Sequence, residues 1–98
     1  MSQQMNAPDS PTELVRAAAE SISARLAGEK GPTAALRSVV HMADNDEAEL
    51  AVDDLARVIE YHRIRILRTE YDQIAAAAAQ LGALDSLTEV RLDRFIRD

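Results

Sequence analysis

The chain is divided into short segments by residues that start and stop helices, and this punctuation limits what it can fold into. Ser10-Pro11-Thr12-Glu13 is a capping box with proline at the first helical position. Between these signals, apolar residues recur at three- and four-residue spacing, which is typical of amphipathic helices. Further starts are predicted at Pro32, Asp44, Thr69 and Asp85, and stops at Gly28 and Gly82. The pattern predicts an all-α fold, a compact bundle of four to five short helices.

Two segments fall outside the predicted helices. Residues 1–9 are expected to form a flexible N-terminal tail, and residues 10–98 a single helical domain. From His62 onward, polar and apolar side chains alternate, which predicts a short extended linker that buries Ile64 and Ile66. We expect this linker to be too short to make a sheet.

Composition restricts the compartment and the size of the core. The chain has 98 residues and no cysteine. A chain of this length forms one small domain, because cores usually divide only above about 250 residues. The absence of thiols fits a reducing compartment, so we expect a cytoplasmic protein. The first residues lack a signal-peptide pattern, and no stretch approaches the roughly 20 apolar residues of a membrane span, so we expect no membrane association.

Catalytic patterns are weak. His41 and His62 are the two histidines, and Ser38 lies three residues before His41 without a clear orienting carboxylate. The Gly28–Gly31 segment lacks the glycine spacing of a phosphate-binding loop. We therefore expect no enzyme activity, no catalytic residues and no cofactor.

The acidic run is the most prominent functional candidate. Residues 44–60 contain seven carboxylates and one arginine. A calcium loop is disfavoured, because Glu49 falls where an EF-hand needs glycine, and we expect no metal site. Two interpretations stay open: a solvated helix face with capping carboxylates, or a docking surface for a cationic partner. The candidate partner-binding residues are Asp44, Asp46, Glu49, Asp53 and Asp54.

The basic residues form two smaller groups in an otherwise acidic chain. The net charge is −6, with 17 acidic and 11 basic residues, and aromatic residues make up 3%. These values disfavour nucleic-acid binding. The groups are Arg63, Arg65 and Arg68, and then Arg91, Arg94 and Arg97, the latter on one side of the predicted last helix. We expect both groups to pair with the acidic helices.

Five segments in order resemble a known family. They are an aliphatic helix at residues 36–42, a turn and helix at 46–55, an apolar linker at 64–67, a "T-E-Y-D-Q-I" helix start at 69–74, and an "L-G" exit at 81–85. In this order they resemble the MafI-like immunity proteins of bacterial polymorphic toxin systems. The resemblance covers residues 36–95 and leaves out residues 1–35. Two departures are Asp46, where the family usually has glycine, and Arg68.

The resemblance implies a non-enzymatic protein that binds and neutralises a cognate toxin, often a basic nuclease. It also implies that Glu47 and Thr69 cap helices, while Ala51, Leu55 and Tyr71 pack in the core. A cognate protein toxin is thus the expected partner, with the chain itself a monomer or weak homodimer. Two alternatives stay open: a homo-oligomeric adaptor that self-associates through the alanine-rich residues 75–79, and an acidic DNA mimic that inhibits a nucleic-acid enzyme.

Overall fold

The structure is a computed structural model that describes residues 10–97. The predicted tail at residues 1–9 therefore lies outside the described part of the chain. In order, the elements are α1 Pro11–Arg25, α2 Lys30–Asp44, α3 Ala48–His62, β1 Ile66–Leu67, α4 Arg68–Leu81, α5 Leu84–Val90, a 3-10 helix Leu92–Phe95, and β2 Ile96–Arg97. The predicted all-α bundle of short helices is confirmed.

Helix α1 is central to the core. It packs mainly on α4 and α2, and α2 packs in turn on α3. Val15 and Ile22 of α1 are fully buried. Ala18 and Ala19 of α1 and Ala77 and Ala78 of α4 are also fully buried, and their small side chains suit the extensive contact between these two helices. Although α1 lies outside the family resemblance, it is an integral part of this fold.

Some predicted helix ends are confirmed and others are wrong. The Ser10 side chain accepts a hydrogen bond from the Glu13 amide, as predicted for the capping box, and Gly82 ends α4 in the left-handed region at φ 66°. However, α1 ends at Arg25, and Gly28 does not adopt positive φ. Helix α2 starts two residues before Pro32, since proline is tolerated anywhere in a first turn.

The linker prediction is half right. Ile64 and Ile66 are buried, but β1 pairs in parallel with β2, so a minimal two-stranded sheet does form. The register places Ile66 opposite Ile96 and Leu67 opposite Arg97. A partner some 30 residues away leaves no local signal, which is why the alternation alone could not predict the pairing.

The predicted last helix is broken. Arg91 adopts a left-handed conformation at φ 53° and ends α5, and the chain continues as the 3-10 helix and β2. Arg91, Arg94 and Arg97 therefore lie in three different backbone conformations and do not share one side of a helix. The expectation that they do is wrong, because a left-handed break at a non-glycine residue has no strong signature in sequence.

Candidate docking surface at the acidic end

Successive helices run in different directions, so the starts of some helices and the ends of others lie together at each end of the bundle. At one end, the start of α1, the turn between α2 and α3 and the last residue of α4 surround an open hollow of about 460 Å³. We define the acidic end as this region with its four carboxylates, Asp44, Asp46, Glu47 and Glu49. A 15-residue helix is about 22 Å long, so this end lies far from the opposite end of α1, α2 and α3.

The turn between α2 and α3 fixes the carboxylates of the acidic end. Helix α2 runs through Asp44, and α3 begins at Ala48, so the predicted start at Asp44 is wrong. The Glu47 amide donates to the Met42 carbonyl oxygen at 2.9 Å, which closes the turn. Asp46 has φ 66°, a conformation that glycine adopts readily and that aspartate tolerates better than most residues.

Glu47 does not cap α3 through its side chain. It occupies the N-cap position, but its carboxylate accepts no capping hydrogen bond. Its side chain is instead exposed to solvent beside Asp46 and Glu49. Glu47 therefore stands at the cap position that the resemblance implied, but its side chain does not cap the helix and its carboxylate stays on the surface.

The five predicted contact residues differ in whether their carboxylates already interact with other residues of the fold. Asp46 and Glu49 are exposed and line the hollow, and neither takes part in an ion pair within residues 10–97. Asp44 instead pairs with Arg16, whose Nε donates to Oδ1 at 2.9 Å. The other two carboxylates lie further along α3.

Asp53 and Asp54 are partly used by the fold itself. Asp53 accepts a hydrogen bond from the Ser86 hydroxyl at 3.2 Å and pairs with Arg57 at 3.1 Å. Partial burial, reinforced by neighbouring Asp53, raises the pKa of Asp54, while Arg57 opposes the shift. These two carboxylates are therefore less available to a partner than Asp46 and Glu49.

The apolar side chain of Leu50 lies beside the exposed carboxylates of the acidic end. Leu50 is 58% exposed and lines the same hollow as Glu49 and Leu81. Single exposed apolar side chains are common on small domains, and Tyr61 and Leu84 are exposed here as well. Leu50 differs from them in lining a hollow together with three exposed carboxylates. An apolar centre with a charged rim is the usual anatomy of a protein interface.

The main polar feature that the sequence did not reveal is a buried carboxylate at the other end of the bundle. Glu70 is 1% exposed. Its carboxylate accepts hydrogen bonds from the Leu67 amide at 2.8 Å, the Ser21 hydroxyl at 2.5 Å and the Arg25 guanidinium. The sequence marked Glu70 only as part of a helix start, because its partners on α1 are more than 40 residues away.

The environment of Glu70 decides its charge. Burial by itself would raise its pKa, but the hydrogen bonds from Arg25, the Leu67 amide and Ser21 outweigh burial and hold the pKa below its ordinary value. The carboxylate also reaches back to the amide that precedes α4, so Leu67 is the N-cap and Thr69 lies inside the helix. The capping role expected of Thr69 is therefore wrong.

Residues 10–97 show few features of a catalytic site, a metal site or a membrane span. Ser38 and His41 are both exposed, and the His62 ring lies edge-on to Tyr61 with ring centroids 4.9 Å apart. Within residues 10–97, no three His, Asp or Glu side chains are grouped to hold a metal ion. No helix in that range has the length and apolar character needed to cross a membrane.

Comparison of the chain with protein-family models, curated proteins and solved structures found no match.

Proposed function

We propose that this chain is an immunity protein that binds a basic bacterial toxin through the acidic end and neutralises it by covering its active site. The observation that carries the proposal is the setting of Leu50, an exposed apolar side chain beside the carboxylates of Asp46, Glu47 and Glu49, which form no ion pair within residues 10–97. In this function the protein contributes a surface and negative potential, and no reacting group is required.

The acidic end would contribute to binding in two ways, through the negative charge of its carboxylates and through burial of the Leu50 side chain. Concentrated negative charge accelerates encounter with a positively charged partner and fixes its orientation, an effect that salt weakens. Burial of a leucine side chain contributes about 1.5–3 kcal/mol when water is excluded around it. The two contributions are separable, because charge acts mainly on association and the apolar contact mainly on dissociation.

The conformation of Asp46 supports the family resemblance at one of its departures. The family usually has glycine at this position, and here the residue adopts the left-handed conformation that glycine favours. The turn geometry is therefore compatible with the family pattern although the residue differs. This agreement bears on the turn alone.

The proposal is tested by co-expression with the product of the adjacent open reading frame. We expect that product to kill when expressed alone, to be neutralised by this chain, and to bind it directly. Rescue without binding, or no toxicity at all, would refute the proposal.

The docking surface is tested by neutralising its carboxylates while leaving Leu50 in place. The triple variant Asp46→Asn, Glu47→Gln, Glu49→Gln should lower the association rate at least tenfold in low salt and flatten its salt dependence. Asparagine tolerates the left-handed conformation at position 46, so the turn is retained. A matched control changes the exposed Glu20, Asp72 and Glu89 to their amides, which shifts the net charge equally. Equal effects of the two triple variants would exclude the acidic end as the contact surface.

Sedimentation tests the adaptor alternative. Its predicted alanine seam is partly used within the chain, since Ala77 and Ala78 are buried while Ala76 and Ala79 are exposed. A monomer at all concentrations would exclude the adaptor. A tight dimer broken by Ala76→Glu would favour it over the immunity function.

A further inference from the structure

A second hollow lies at the end of the bundle opposite the acidic end. It occupies about 370 Å³ where the end of α1, the start of α2, the segment after α3 and β2 come together. Its polar lining consists of Arg25, Glu29, His62, Arg63, Arg65 and Arg97. We call this hollow the basic groove. Four arginine residues line this one space in a chain whose net charge is −6.

Three of these arginines form no ion pair in the described part of the chain. Arg63, Arg65 and Arg97 have no carboxylate oxygen within 4.0 Å among residues 10–97. The sequence-based expectation that the two arginine groups pair with the acidic helices is confirmed for Arg94 alone, which meets Glu60 at 3.3 Å. Among residues 10–97, Glu29 is the only carboxylate that lines the groove, so the described lining carries excess positive charge.

The backbone positions of the three free arginines are held by separate contacts. Arg63 closes α3 in the left-handed conformation, and its amide donates to the Glu60 carbonyl oxygen at 3.3 Å. The Arg65 carbonyl oxygen accepts a hydrogen bond at 2.9 Å from Arg25, which is itself anchored on buried Glu70. Arg97 is placed by the pairing of β2 with β1. These contacts fix the backbone of the three arginines, while their exposed side chains become ordered only when a ligand binds.

The rest of the lining indicates the size and type of ligand. Leu26, Pro32 and Ile64 form an apolar wall next to the guanidinium groups. The volume lies near the lower end of the roughly 300–1,000 Å³ range of small-molecule sites. Planar guanidinium groups donate paired hydrogen bonds to phosphate oxygens, and several together match a dianionic terminal phosphate better than a single carboxylate.

We propose that the basic groove binds a small organic phosphomonoester of about mononucleotide size. The phosphate lies among Arg63, Arg65 and Arg97, and the organic part lies against the apolar wall. This site is separate from the docking surface and does not depend on the immunity function.

Calorimetric titration with adenosine monophosphate, inorganic phosphate and adenosine tests the proposal. We expect saturable binding of the monophosphate with a dissociation constant of about 1 mM or lower, weaker binding of phosphate, and none of adenosine. Arg65→Ala and Arg97→Ala should each weaken binding about tenfold or more, as expected for loss of a charged hydrogen bond. Both side chains are exposed, so folding, checked by circular dichroism, should be retained.

Arg37→Ala is the matched control, since Arg37 is exposed on α2 outside the groove and its removal changes the net charge equally. The proposal is overturned if Arg37→Ala weakens binding as much as Arg65→Ala, or if the monophosphate does not bind. Equal affinity for phosphate and the monophosphate would overturn the role of the apolar wall. Tighter, groove-dependent binding of a single-stranded oligonucleotide without terminal phosphates would assign the groove to nucleic acid instead.

Discussion

The two ends of the bundle each contain an arginine of α1 paired with a carboxylate, but the two pairs differ in burial. At the acidic end, the side chains of Arg16 and Asp44 are 41% and 46% exposed. Near the basic groove, Arg25 is 30% exposed and Glu70 only 1%. Exposed pairs contribute about 0–1 kcal/mol, whereas removal of one partner from a buried pair costs about 3–5 kcal/mol.

Because of this difference, the buried pair stabilises the fold, whereas the exposed carboxylates contribute mainly surface charge. The Glu70 carboxylate ties α1, the linker and α4 together, so its charge is committed to the fold. The exposed carboxylates of the acidic end make no comparable buried hydrogen bonds within residues 10–97, so we expect their neutralisation to cost less stability than the loss of Glu70.

Loss of the buried carboxylate should have the largest effect. Glu70→Ala removes the acceptor of Arg25, Ser21 and the Leu67 amide and leaves a cavity among buried neighbours. We expect a decrease of about 3 kcal/mol in the free energy of unfolding, measured by urea denaturation. Glu89→Ala, at an exposed position, should change it by less than about 0.5 kcal/mol. A loss below about 1 kcal/mol for Glu70→Ala would mean that the two ends do not differ.

The second largest effect should be on how the free energy of unfolding falls at acid pH. Because the pKa of folded Glu70 lies below that of the unfolded chain, its contribution is fully present above the unfolded pKa of about 4.3. The contribution is lost as the pH falls through the folded value. Glu70→Gln should therefore flatten the stability curve below about pH 4.3, as measured by urea denaturation at a series of pH values. Parallel curves for the wild type and the variant would contradict the assignment.

Breaking the exposed pair should have the smallest effect. Asp44 is the last residue of α2, where a negative side chain opposes the helix dipole, and this cost offsets part of its attraction to Arg16. We expect Asp44→Asn to change the free energy of unfolding by less than about 0.5 kcal/mol at pH 7. A loss comparable with that of Glu70→Ala would place a stability-determining pair at the acidic end.

The sequence predicted the fold class because helix periodicity and capping are local. The Ser10 capping box and the Gly82 stop involve residues within one turn of each other, and both are found as predicted. The β1–β2 pairing and the left-handed break at Arg91 depend on distant packing, and these were missed. The starts of α2 and α3, whose N-cap residues Glu29 and Glu47 make no side-chain capping hydrogen bond, lie two and four residues from the predicted positions.

The candidate sites were less predictable than the fold. Asp46 and Glu49 were named from the density of carboxylates along the chain, but that density could not reveal that Arg16 neutralises Asp44. Nor could it reveal that helices of alternating direction carry acidic and basic residues to opposite ends. Helical period alone does not decide between adjacent positions such as Leu50, which is exposed, and Ala51, which is buried.

The central position of α1 has a consequence for synthesis on the ribosome. Its buried face, with Val15 and Ile22, packs about equally on α2 and on α4, and α4 is translated much later. At roughly 5–20 residues per second, several seconds pass before that partner exists. During this interval the nascent helix can cover its apolar face only partly, against α2, so we expect a product that ends before residue 81 to be prone to aggregation or degradation.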